Sequence, residues 1–154
     1  MPQPVPTYAL YGEQPASALP ELLHCESIPA RSRLHGWEIR EHRHHHFLQI
    51  LYIAHGSGQA QLAAERVALQ APCVVVVPAG VAHGFQFSAD IDGFVFTLVQ
   101  ASAPPGVLAT FAQPICHDLT DDAGLRAGVA GAVQMLVAAS VSYTHLTLPT
   151  ILRV

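Results

Sequence analysis

Between residues 37 and 99 the hydrophobic positions come in short bursts. "WEIRE", "HFLQILYIA", "GQAQLAA", "RVALQ", "CVVVVP", "HGFQFS" and "GFVFTLV" are rich in β-branched and aromatic residues or alternate apolar with polar, and glycine, proline or polar turns separate them. No helical period intervenes. Strands at this spacing predict a mainly β fold, a sandwich or barrel. "ASAPPG" at 101–106 closes that section, and the period then changes. In "LTDDAGLRAGVAGAVQMLVAAS", Leu125, Val129, Val133 and Leu136 fall on one helical stripe. Thr120 is read as the N-cap of this C-terminal helix, with Asp121 and Asp122 in a first turn where carboxylates suit the helix dipole. Gly124, Gly128 and Gly131 weaken the helix or admit another backbone close to it, so it is expected to cover the barrel or join two copies.

The first 21 residues, with five prolines, two tyrosines and little periodicity, read as an arm. The expected organisation is an arm at 1–21, a barrel at 22–106 and a helical segment at 107–140, with 141–154 set apart. The N-terminus lacks the basic region and unbroken apolar stretch of a signal peptide. No apolar run stands out as long enough to span a bilayer, so no membrane partner is expected.

Composition narrows the function. A length of 154 residues suits one domain, and 51% hydrophobic residues exclude a disordered chain. A net charge of −4 and a pI near 6.2 give no basic excess for nucleic acid. The three cysteines, Cys25, Cys73 and Cys116, are far apart and include no C-x-x-C, which argues against a disulfide framework and fits a cytoplasmic location.

The chemistry concentrates in histidines. His42, His44, His45 and His46 crowd the head of one predicted strand. Residues two apart on a strand share a face, so His42 and His44 point the same way. Pro78 and Gly80 form a turn that aims His83 at them. Three neutral imidazoles suit zinc, iron, copper or nickel, and they equally line a polar pocket. Arg40 shares the parity of His42 and His44 and would bind a carboxylate; Glu38 shares it too and would oppose an anion unless a bulge or the strand edge spares it. Trp37, Tyr52, Phe85 and Phe87 are candidates to pack an aromatic ring, or ordinary core. Of His45 and His46, one is expected to face solvent and the other a neighbouring strand.

Gly36, His42, His44, Gln49 and Gly56 follow G-x5-H-x-H-x4-Q-x6-G, and Pro78, Gly80 and His83 follow P-x-G-x2-H. These resemble the two motifs of the cupin superfamily, which implies a jelly-roll barrel over roughly residues 30–100. Enzymatic cupins carry a glutamate where Gln49 stands and often close the second motif with an asparagine where Phe87 stands. Both departures point to a pocket without a metal; any metal would sit on His42, His44 and His83.

A longer stretch, "LHCESIPARSRLHGWEIREHRHHHFLQILYIAHGSGQAQL" with "APCVVVVPAGVAHGF", resembles the N-terminal sensing domain of AraC-family transcriptional regulators, in the branch that responds to 4-hydroxybenzoate or 4-hydroxyphenylacetate. "YALYGE" at Tyr8–Glu13 is in the same style. The resemblance implies a small aromatic carboxylate effector held by Arg40, His42, His44, Gln49 and His83 with Trp37, Tyr52 and Phe85. It further implies a homodimer, no cofactor, no catalytic residue, and DNA binding only through a C-terminal helix-turn-helix part that these residues do not contain. The rival class is a metal-dependent cupin enzyme, a dioxygenase or isomerase. "VSYTHLTLPT" resembles the translation of a sequencing-library adapter, so residues from Val141 on are expected to lie outside the natural domain.

Overall fold

The computed structural model describes the backbone of residues 4–8 and 23–152, and the side chains of 4–7 and 23–140. Ten strands form two five-stranded sheets. β1 is Thr7–Tyr8, β2 Leu23–Ser27, β3 Glu38–His44, β4 Phe47–His55, β5 Ser57–Leu62, β6 Glu65–Gln70, β7 Cys73–Val77, β8 His83–Phe87, β9 Asp92–Val99 and β10 Ile115–Asp118. One sheet runs β1-β3-β8-β5-β6 and the other β10-β7-β4-β9-β2. Without the outer strands β1 and β10, the orders β3-β8-β5-β6 and β2-β9-β4-β7 are those of an eight-stranded jelly roll. All pairings are antiparallel except β1 against β3. A helix α1, Ile28–Ser32, and a 3₁₀ turn at Arg33–His35 join β2 to β3; α2 is Pro105–Thr110 and α3 is Ala123–Leu152.

The inner faces of the sheets close on one core: Leu51, Ile53, Val75 and Val77 from one sheet, Ala60, Leu62, Leu69, Phe85 and Phe87 from the other, and Ile28 from α1. All but Ile28 come from an apolar burst read in the sequence, and the seven bursts correspond to β3 through β9. Three strands, β1, β2 and β10, lie outside those bursts. β2 seals one edge against β9, and β10 extends the barrel sheet along β7 to Asp118, twelve residues beyond the expected boundary at 106. The expected arm contributes β1 at Arg43 and His44, and residues 9–22 lie outside the described ones.

α3 departs from its expected form in three ways. Its cap is Asp122, whose Oδ1 accepts from Leu125 N–H at 2.9 Å; Thr120 instead donates its own N–H to Asp118 at 2.8 Å. A carboxylate two residues nearer the helix accepts from the free donors of the first turn more directly than the threonine. Of the predicted stripe only Val133 is buried, while Leu125 and Leu136 are exposed. The helical backbone continues past Ser140 to Leu152. The 18 residues Ala123–Ser140 also have a mean hydropathy of 1.3 and are long and apolar enough to cross a bilayer. The sequence reading passed over this segment because its apolarity comes from alanine, glycine and valine rather than from a run of large side chains, with Arg126 its one charge.

Candidate functional site

β3 and β8 are neighbours, with His42 paired to His83, and that register brings the histidines together. His44 follows two residues on. The turn that aims His83 is built as its sequence suggests: Gly80 takes φ +84, which glycine adopts freely, and donates its N–H to His44 O at 2.6 Å. His42, His44 and His83 are all buried. Their ring centroids are 4.4 Å apart for His42–His83, 4.9 Å for His42–His44 and 5.6 Å for His44–His83. One nitrogen from each lies within 4.8 Å of the others.

Hydrogen bonds fix the tautomers. His42 Nδ1 lies 2.8 Å from Arg40 O, and His83 Nδ1 lies 2.8 Å from Val81 O. A carbonyl only accepts, so both Nδ1 atoms carry the proton and both Nε2 atoms present a lone pair when the rings are neutral. Neutrality follows from burial, which with the neighbouring His42 lowers the His83 pKa to about 3. His42 is also lowered, chiefly by burial. Gln49 sits 3.1 Å from His83 Nε2 through Oε1, and its amide nitrogen lies 3.2 Å from Thr97 Oγ1. Two acceptors do not bond. With His83 neutral the amide is therefore turned over, its NH₂ donating to His83 Nε2 and its oxygen accepting from the Thr97 hydroxyl.

This cluster borders an internal cavity of about 30 Å³ lined by Ile28, Arg31, Ile39, His42, Gln49, Leu51, His83, Phe85, Phe87 and Val95. That is room for one or two water-sized groups. Its polar end is Arg31, His42, Gln49 and His83; its apolar side includes Phe85 and Phe87, stacked with centroids 5.4 Å apart and planes 8° apart. The lining holds one formal charge, Arg31, and no carboxylate.

Arg40 is not in this cavity. β3 bulges between Ile39 and His42, so Ile39, His42 and His44 face inward while Arg40 and Glu41 face out. Two residues opposing one break the period of two on which the parity argument rested. The bulge removes Glu38 from the cavity as well. Tyr52 is on the outward face of β4, opposite Phe94 in β9. Trp37, at φ +66, packs against the core from the turn before β3 and donates its N–H to Ser32 O at 2.9 Å. His45 and His46 are both exposed in the β3–β4 turn. Sequence reasoning missed Arg31, which α1 delivers to the cavity. The signal was Ser27-Ile28-Pro29, an N-cap serine with proline in the first turn; Ser27 Oγ accepts from Ala30 N–H at 3.1 Å.

The donor set fits a transition metal in part. Three buried imidazoles present their donors inward, and two are held from behind by carbonyls, an arrangement that orients metal-bound histidine elsewhere. The fourth position falls to Gln49, a neutral amide and a weak donor.

Residues 24–136 match the AraC-like ligand binding domain family. No curated protein matches the sequence. Among solved structures, a cupin protein from Bacteroides fragilis is similar at 20% identity and a TM-score of 0.41, over 53% of this chain and 68% of that one. A predicted oxalate decarboxylase from Thermotoga maritima is similar at 15% identity and 0.39, over 50% and 80%. An oxalate decarboxylase with Mn(II) centres from Bacillus subtilis follows at 15% and 0.35, over 49% and 26%. Likenesses at this level do not define the fold, which rests on the strand order above.

Proposed function

The chain belongs to the AraC-like ligand binding domain family, and from that premise we propose that it is the small-molecule sensing part of a cytoplasmic AraC-type transcription regulator. The family match carries this reading. In it the chain dimerises, does not catalyse, and reaches DNA through a helix-turn-helix segment encoded after about codon 140, where the adapter-like text begins. Re-reading the source locus past that codon tests the last point, and an open frame without such a segment counts against it.

We further propose a small aromatic carboxylate as effector, bound in the barrel with its acid group on Arg31. The support is the lining: one guanidinium and two imidazoles at one end, a phenylalanine pair at the other and no carboxylate among the lining residues; Glu26, 3.9 Å from Arg31, is the ion-pair partner that the effector's acid group would compete with. A cavity of about 150 Å³ takes a benzene ring, so under this reading the barrel must open to admit one. Calorimetric titration with 4-hydroxybenzoate and 4-hydroxyphenylacetate is the test. Affinity in the range of ~1 µM to 1 mM is expected for so few atoms. Arg31→Ala should weaken it about tenfold or more, because a charge-assisted bond contributes ~1.5–3 kcal/mol; Arg40→Ala tests the position that strand parity pointed to. A folded wild type that binds neither acid at millimolar concentration defeats the effector assignment. A loss confined to Arg40→Ala moves the site out of the barrel.

The rival reading, a metal-dependent enzyme, draws on the inward imidazoles. Under the sensor reading, untagged protein purified without added metal is expected to show no stoichiometric transition metal by elemental analysis. One tightly held ion per chain, lost in His42→Ala/His44→Ala, would favour the rival.

A further inference from the structure

The bulge that turns Arg40 away from the barrel creates a second concavity on the outside. A groove of about 400 Å³ crosses the outward face of the β3-β8-β5-β6 sheet, with Glu38, Arg40 and Glu41 at one rim, Arg66 at the other and glutamines between. This is within the size range of small-molecule sites. Its floor is low because Gly84 has no side chain. A Cβ there would come within 3.0 Å of Glu41 N and Ile39 O, so the bulged backbone of β3 settles directly over the glycine.

The register sets the polar groups in two rows across the strands. One row is Glu38, Gln86 and Gln59; the other is Gly84, Gln61 and Arg66, with Arg40 and Glu41 of the bulge beside it. The charge is polarised. The β3 side carries Glu38 and Glu41 against one Arg40, the β6 side carries Arg66, and uncharged glutamine amides lie between. Among the described residues no ion pair joins these four charges, although both signs share one groove.

We propose that this groove binds a short zwitterionic peptide, a di- or tripeptide, with its carboxylate on Arg66, its ammonium on Glu38 and Glu41, and its amides on Gln59, Gln61 and Gln86. The match is in length as well as charge. Strands are ~4.8 Å apart, so β3 and β6 backbones are ~14 Å apart. A peptide of two or three residues at ~3.5 Å each bridges that width once side chains reach in from both rims. A single amino acid is too short to meet both ends, and a monovalent anion or cation satisfies one. The site is separate from the barrel cavity: it lies on the other face of the sheet, and the Ile39–Phe85 pair forms the wall between them.

Amide chemical shifts of the isotope-labelled chain, titrated with triglycine, provide the test. Saturable shifts are expected in Ile39–His42 and Gly84–Gln86, at Kd about millimolar. Glu38→Gln and Arg66→Gln, conservative changes on an exposed sheet face, should each weaken binding about tenfold with the spectrum otherwise intact. Acetate and ethylammonium should each bind about tenfold more weakly than triglycine. Arg31→Ala should leave triglycine binding as it is. Absence of saturation by about 50 mM triglycine, equal binding by both variants, or equal binding of the singly charged probes would each overturn the proposal.

Discussion

Between pH 7 and pH 4.5 the metal-free protein is expected to lose roughly 2–3 kcal/mol of stability through His83 alone. The folded His83 has its pKa lowered to about 3, chiefly by burial, whereas an unfolded histidine titrates near 6.5. Between these values the unfolded chain binds a proton that the folded chain does not. Stability therefore rises with pH across the window and is lost as pH falls below 6.5. Each unit is worth ~1.36 kcal/mol. His42 and His24 are lowered in the same direction, also chiefly by burial, and add to the loss. Asp90 and Asp118 act lower on the scale. Hydrogen bonds to Ser88 and Thr120 hold their pKa values below 3.8, so their contributions fade only as pH drops through that region. Denaturant titrations at pH 7, 5.5 and 4.5 of chelator-treated protein measure the slope. His83→Gln should make it shallower by about one proton's worth over the same interval. An unchanged slope in that variant would mean His83 is not buried and neutral.

How much of this was visible in the sequence depends on periodicity. β4, β7 and β9 are long or strongly apolar, and their β-branched and aromatic residues mark them as strands without help from a period of two. β10 has four residues, Ile115–Asp118, too few to show a period, and it was absorbed into the helical segment. The histidine triad was legible because His42 and His44 lie on the regular end of β3 and the Pro78–Gly80 turn has a fixed geometry. Arg40 was misplaced because a bulge is a one-residue fault in an otherwise perfect alternation, and only its partner betrays it: Gly84, a glycine inside a predicted strand. Tyr52 is a different kind of miss. It belongs to a strand apolar on both faces, Leu48 and Ile50 outward as Gln49 and Leu51 are inward, so hydrophobicity does not say which aromatic lines the cavity. Arg31 stands eleven residues ahead of His42, the first of the triad, and reaches the triad only through the fold.

Gly93→Ala is expected to destabilise the domain by about 3 kcal/mol or more, a drop in Tm of roughly 10 °C. Gly93 is in β9 opposite Ile53, beside the irregularity between Ile53 and His55. A Cβ built on it would overlap the Tyr52 carbonyl oxygen and come within 3.1 Å of Ile28 Cδ1. The first neighbour is backbone in the middle of a five-stranded sheet, so it cannot rotate away. Relief requires β9 to part from β4, in the sheet that supplies Gln49, Leu51, Thr97 and Val95 to the site. The second neighbour is the α1 residue one turn from Arg31, so the disturbance reaches the cavity mouth. Even a partly folded variant should bind effector more weakly than its folded fraction accounts for. Gly128→Ala is the contrast. Gly128 is inside α3 and an added Cβ meets nothing within 4 Å, so the same change should stabilise the chain by ~0.5–1 kcal/mol through helix propensity. Thermal and urea denaturation of both variants separates the cases. If Gly93→Ala melts with the wild type, the close approach of β9 to the Tyr52 carbonyl does not exist.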